Sequence, residues 1–116
     1  MVCPTKLNSM EALPAFRYSR RAEADLLSIS RYTLRTWGEE QTIRYIDDLE
    51  ACCQMLADNP MLGRACDHIR PGLRRMERGG HVIFYRADAG GNFVSRILHA
   101  RVMPERQFID DEDDGL

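Results

Sequence analysis

The side chains able to move a proton or hold an anion gather in the second half of the chain. His81, Tyr85 and His99 stand among the arginines Arg64, Arg70, Arg74, Arg75, Arg86 and Arg101. One metal-free chemistry asks for such a set: cleavage of RNA through its 2′-hydroxyl. A base takes the hydroxyl proton, cations steady the charge growing on phosphate, and an acid protonates the leaving oxygen. His81 and Tyr85 have one parity along an extended segment, and His99 and Arg101 share a parity along another, so each pair would face one way on a sheet. His81, Tyr85, His99 and Arg86 are therefore the ribonuclease candidates. Against them, Ile83 and Phe93 fall on the same faces and make that surface partly apolar. The alternative is contact without catalysis. Arg64, Arg70, Arg74, Arg75, Arg86 and Arg101 would then bind an anionic partner by bidentate hydrogen bonds.

Charge favours an anionic partner for that half. The 116 residues carry 16 basic and 18 acidic groups, net −2, but five acids form the run Asp110–Asp114. Without them 13 acids face 16 bases, and every base except Lys6 is an arginine. From Arg64 to Arg106, nine arginines meet only Asp67, Glu77, Asp88 and Glu105. Such a surface suits nucleic acid or an acidic protein segment. The plainer reading of each arginine is a local ion pair; for Arg64 it is a brace on the carbonyls of the Pro60–Gly63 turn.

Little else in the chain offers chemistry. Gly79-Gly80 and Gly90-Gly91 precede no helix, so neither cradles a phosphate. No serine or cysteine has a neighbouring histidine, and no triplet of metal ligands is spaced for zinc, so no cofactor or metal is expected. Cys3, Cys52, Cys53 and Cys66 read as reduced thiols of a reducing cytosol. On a helix Cys52 and Cys53 point about 100° apart, which predicts one buried and one half exposed.

These residues need elements to position them. At 44% hydrophobic and 29% charged, the chain reads as one soluble domain, not a disordered or collagenous chain or a coiled-coil rod. No apolar run reaches membrane-spanning length, and Met1–Lys6 lacks a signal-peptide pattern; a cytoplasmic location is expected. Residues 1–14 read as a flexible leader, with Met10 as an alternative start. Residues 15–106 are expected to form the domain, and 107–116 an acidic, disordered tail.

Within the domain, 15–18 predicts a short strand. Ser19 is an N-cap for a helix running to Trp37, with Ala22, Leu26, Ile29 and Thr33 as its stripe, widened by Leu27 and Leu34. Gly38 ends it. A second helix spans 39–58, with Ile43, Ile46, Leu49, Cys53 and Leu56 inward and Asn59-Pro60 as its stop. Tyr32, Trp37 and Tyr45 are assigned to packing of this hairpin, with a partner groove as the alternative. Then come strands at 73–78, 81–86 and 93–102, joined by a Gly79-Gly80 turn and a loop over 88–92. The fold class is α+β: a strand, an antiparallel helix hairpin and a three-stranded antiparallel meander, with the helices on one face of the sheet.

That order carries a set of spaced residues. They include Phe16-x-Tyr18-Ser19, Ala22-x-x-Asp25-Leu26-x-x-Ile29-x-x-Tyr32 and Trp37-Gly38-x-x-Gln41-x-x-x-Tyr45. Further along stand Leu56-x-x-x-Pro60-x-x-Gly63-Arg64, Pro71-Gly72-Leu73-Arg74, His81-x-Ile83-Phe84-Tyr85-Arg86 and Ile97-Leu98-His99-x-Arg101. Together they resemble the ParE branch of the RelE/ParE toxin superfamily, from Phe16 to about Arg106. The resemblance implies the toxin of a bacterial type II toxin–antitoxin pair that maintains a plasmid or chromosome. Its partner would be a ParD-like antitoxin in a hetero-oligomer, and its target DNA gyrase, bound rather than chemically altered. The RelE side of the superfamily implies the alternative, ribosome-dependent cleavage of messenger RNA. A further alternative is an antitoxin-binding module without toxicity. The ending Met103 to Phe108 followed by acids argues against an RNA cleft, because carboxylates repel phosphate.

Overall fold

The computed structural model describes residues 15–88, 91–102 and 104. The chain builds β1 (Phe16–Tyr18), α1 (Arg20–Trp37), α2 (Glu39–Asp58), a 3-10 turn (Pro60–Leu62), β2 (Arg64–Ala65), β3 (Arg74–Arg78), β4 (His81–Asp88) and β5 (Gly91–His99). The five strands form one sheet in the order β1-β5-β4-β3-β2. The α+β order and the β3–β4–β5 meander agree with the sequence reading. The sheet is wider than the meander: β1 joins parallel to β5, and the two-residue β2 adds antiparallel to β3. A parallel pair cannot be joined by a tight hairpin; between β1 and β5 the chain runs through the helix hairpin and then β2, β3 and β4.

Local chemistry sets the helix ends. The Ser19 hydroxyl accepts the Ala22 N–H at 2.9 Å and donates to the Ser95 carbonyl at 2.7 Å, while the Ser19 N–H donates to the Val94 carbonyl at 2.9 Å. The residue that caps α1 thus also fastens it to β5. Gly38 takes φ 94°, a left-handed value that glycine adopts at low cost. Its N–H closes α1 on the Leu34 carbonyl, and its own carbonyl accepts the Thr42 N–H to open α2.

On the helix side of the sheet, Ala22, Ile29, Leu49, Cys52, Cys53 and Leu56 pack against Ile83, Tyr85, Val94 and Ile97. The inward stripes are narrower than expected. Leu27, Leu34 and Ile43 are all more than half exposed, because two helices on one sheet bury a single face each and nothing among the described residues covers their flanks. Cys52 and Cys53 are both buried, since α2 lies over the sheet with both positions in the core. The far face carries a second cluster of Cys66, Leu73, Val82, Phe84 and Leu98, with Ile69 and Val102 packed on it. The third meander strand stops at His99, not Val102; the Val102 N–H turns back to the His99 carbonyl at 3.0 Å. Asp88 pairs with Gly91, so strand replaces most of the loop expected over 88–92. The expected leader 1–14, the domain's end at 106 and the tail 107–116 lie outside the described residues. No described helix is long and apolar enough to cross a membrane.

Candidate functional site

A cleft of about 650 Å³ opens between the helix hairpin and the end of the sheet where β4 starts and β5 stops; its walls include Asp25, Tyr32, Trp37, Tyr45, His81 and His99. The register sets His81 directly opposite His99, with the rings edge-to-face and their centroids 5.4 Å apart. The Tyr45 oxygen lies 2.7 Å from His81 Nδ1 and accepts the Gly80 N–H at 3.3 Å. His99 Nδ1 accepts the Arg101 N–H at 3.1 Å, so neutral His99 carries its proton on Nε2. Burial lowers the His81 pKa, and the neighbouring His99 lowers it further, against a weaker upward pull from Asp25. Burial also raises the Tyr45 pKa. The Asp25 carboxylate is already engaged. It accepts Arg96 Nε at 2.8 Å, Arg96 Nη2 at 2.9 Å and the Ile97 N–H at 2.9 Å, which closes the β5 edge beyond the end of β1. Among the described residues no arginine or lysine lines the cleft. A phosphodiester there would meet histidines, tyrosines and a tryptophan but no guanidinium.

Of the four ribonuclease candidates, only His81 and His99 come together. Tyr85 is fully buried. Its hydroxyl donates to the Pro60 carbonyl at 2.7 Å and accepts the Gly63 N–H at 3.0 Å. A Cβ at Gly63 would stand 2.5 Å from that oxygen, so glycine is needed for the contact. Arg86 alternates with Tyr85 along β4 and lies toward the far face, its guanidinium carbon 4.6 Å from the centre of the Phe93 ring.

The arginines of the contact reading are dispersed. Arg64 and Arg75 share Glu77, at 2.8 and 2.9 Å. The brace assigned to Arg64 is made by Arg74, which donates to the Gly63 carbonyl at 2.9 Å and the Met61 carbonyl at 3.2 Å. Pairing of Ala65 with Arg74 brings that side chain beside the turn, whereas Arg64 reaches Glu77. Arg70 is half-buried in the loop before β3. Arg101 is exposed in the turn after β5, so the strand parity shared with His99 ends before reaching it. Tyr32 and Trp37 were assigned to hairpin packing; instead they are 59% and 69% exposed and wall the cleft. Tyr45 does pack on the core.

Sequence reasoning missed the Asp25–Arg96 pair, whose side chains are only 14% and 10% exposed. It also missed Arg17, which bonds Asp88 at 2.8 Å and stacks 4.9 Å from the Phe93 ring centre. Asp25 stands in the spaced set Ala22-x-x-Asp25-Leu26 and on the flank of the α1 stripe, but neither signal names its partner, which is 71 residues away. Among the described residues no group of three or more His, Cys, Asp or Glu could hold a metal ion.

Residues 16–104 match the family described as the ParE toxin of the type II toxin–antitoxin system, parDE. Toxin ParE1 of Mycobacterium tuberculosis is 40% identical over 89 residues, covering 76% of this chain and 91% of the relative. Toxin ParE1 of Caulobacter vibrioides is 40% identical over 84 residues, 72% of this chain and 86% of its own. Toxin ParE of Escherichia coli is 36% identical over 91 residues, 78% and 88% of the two chains. The solved chromosomal ParDE system of P. aeruginosa contains a chain that superposes with a TM-score of 0.64 at 21% identity, covering 75% of this chain and 96% of that one; it shares the fold.

Proposed function

This chain belongs to the ParE toxin family of type II toxin–antitoxin systems, and from that premise we propose that it arrests bacterial growth by binding DNA gyrase in the cytoplasm, with no bond made or broken. A ParD-like antitoxin silences it in a hetero-oligomer by covering the exposed aromatic wall of the cleft. One observation supports contact over catalysis: among the described residues no guanidinium lines the cleft of the paired histidines, Tyr85 being buried in the core and Arg86 stacked on Phe93. The cationic stabilisation that phosphate chemistry requires is thus not beside its acid–base groups. The target surface is assigned to the arginines Arg64, Arg70, Arg75, Arg86 and Arg101, with Arg74 holding the turn that leads into Arg64.

Purified gyrase, supercoiling a relaxed plasmid with and without the protein, tests this directly; unaffected supercoiling at stoichiometric excess would sink the proposal. The paired histidines keep RNA cleavage open to measurement. Replacing a general acid or base costs about 10²–10⁴-fold in rate. His81→Ala with His99→Ala should therefore leave killing nearly intact for a gyrase binder and abolish it for a ribonuclease. Arg64→Glu with Arg86→Glu should weaken killing, because like charge repels an anionic partner. Growth unaffected by induced wild-type protein would leave the non-toxic antitoxin-binding module.

A further inference from the structure

We propose that the acidic run Asp110–Asp114 is an intramolecular ligand of two arginine rows on the far face of the sheet, and that it competes there with the protein's target. The first row is set by register: Arg17 on β1, Phe93 on β5 and Arg86 on β4 are cross-strand neighbours. Their guanidinium carbons lie 4.9 and 4.6 Å from the Phe93 ring centre. The ring thus holds two cations by cation–π contact. The second row runs from Arg64 to Arg75 to Phe84, with the Arg75 guanidinium 5.7 Å from the Phe84 ring centre. Within the rows, Asp88 bonds Arg17, and Glu77 serves both Arg64 and Arg75. Among the described residues, the four guanidinium groups of the rows meet two carboxylates, and the side chains of Arg17 and Arg64 are 52% and 70% exposed. The described rows thus carry a net positive charge and are open to negative charge from an anionic segment.

The run has the charge and the reach to supply it. Val102 packs on the far-face cluster with Phe84 and Val82, so the chain leaves the described fold on the side that carries the rows. The acids follow Pro104 by six to ten residues, a reach of about 20–35 Å at 3.3–3.6 Å per residue. Val102 packs on the cluster that contains Phe84, the ring at the end of the second row, so a segment of that reach can return to the row. A tethered ligand needs little intrinsic affinity. At an effective concentration of about 1 mM and an intrinsic Kd of about 0.1–1 mM, it covers the rows half to nine-tenths of the time, and a competing partner binds about 2–10-fold more weakly. The contact stands on charge and geometry; its effect on the target rests on the gyrase reading above.

The test uses the full chain and a full-length variant carrying Asp110→Asn, Asp111→Asn, Glu112→Gln, Asp113→Asn and Asp114→Asn. The side-chain Nε–Hε NMR signals of Arg17, Arg64, Arg75 and Arg86 should differ between the two at about 25 mM salt and converge at about 300 mM, where screening is strong. At low salt the variant should inhibit gyrase about 2–10-fold more strongly. Superimposed arginine signals at low salt overturn the proposal. Shifted signals with equal inhibition overturn the competition. Shifted signals with no inhibition by either protein uphold the contact and place the failure in the gyrase reading.

Discussion

Replacing Asp25 with alanine tests the joint that fastens the sheet's open edge to α1. The carboxylate accepts two hydrogen bonds from Arg96 and one from the Ile97 amide, and both charged side chains are nearly out of water. Truncating one member of a buried pair strands the other charge, a loss of about 3–5 kcal/mol. The orphaned Ile97 amide pushes the figure toward the upper end. Alanine is the better helix former, so the loss cannot come from α1 propensity. At about 4 °C per kcal/mol in a domain of this size, the melting temperature should fall by about 12–20 °C. Asp25→Asn keeps one acceptor and should cost less, about 1.5–3 kcal/mol. The double variant Asp25→Ala with Arg96→Met removes the guanidinium charge and leaves the Ile97 amide without its carboxylate acceptor. It should therefore be more stable than Asp25→Ala alone. Urea unfolding of the four proteins measures all of this. A double variant less stable than the single, or Asp25→Ala within 1 kcal/mol of wild type, would refute the reasoning.

Other expectations follow from burial and titration. Leu49→Ala, at a fully buried site, should cost about 2–5 kcal/mol in urea unfolding, half-buried Leu26→Ala less, and exposed Arg31→Ala within about 0.5 kcal/mol of zero. Tyr85→Phe should cost about 1–3 kcal/mol by leaving the Gly63 amide without an acceptor, yet a folded Tyr85→Phe protein should kill as wild type does. Because the folded His81 pKa is lowered, the unfolded chain binds more protons between that value and the ordinary 6.5. Stability is full above 6.5 and falls as pH drops through this window; melting scans from pH 7.5 to 5 should show the fall, and His81→Gln should flatten it. Neutralising Asp110–Asp114 should leave the melting temperature at about 300 mM salt nearly unchanged.

The elements were legible because local signals agreed. Ser19 before an amphipathic run, Gly38 between two helices and Gly79-Gly80 between strands each have one good conformational use, and each is used that way. β2 was not legible: two residues carry no periodicity, and they pair only because Arg74 and Tyr85 hold the preceding turn. The overestimates at Leu27, Leu34 and Ile43 share a cause. Helical spacing identifies an apolar face, but how much of it is covered depends on how many layers pack there, and the described residues form two. The same limit governed Tyr32 and Trp37, whose aromatic character reads as core until the cleft shows what leaves them open.

The site was legible only in part, for a topological reason. Parity within a strand correctly grouped His81 with Ile83 and Tyr85, but the outcome for each depends on what lies above it. His81 sits at the strand's end beside Tyr45 and stays half-open, while Tyr85, four residues on, lies beneath α2 and the 3-10 turn. The same alternation turns Phe84 and Arg86 toward the far face, where they form rows with Arg75, Phe93 and Arg17. Among the described residues, one meander therefore presents an aromatic cleft lined by no guanidinium beside the helices and cationic rows on its other side. On the proposed function, two chemically distinct partners would engage the sheet without sharing contacts, an apolar segment in the cleft and an acidic one on the rows. The consequence for binding is specific. Filling the cleft should be nearly independent of salt, whereas engagement of the rows should weaken steeply with it.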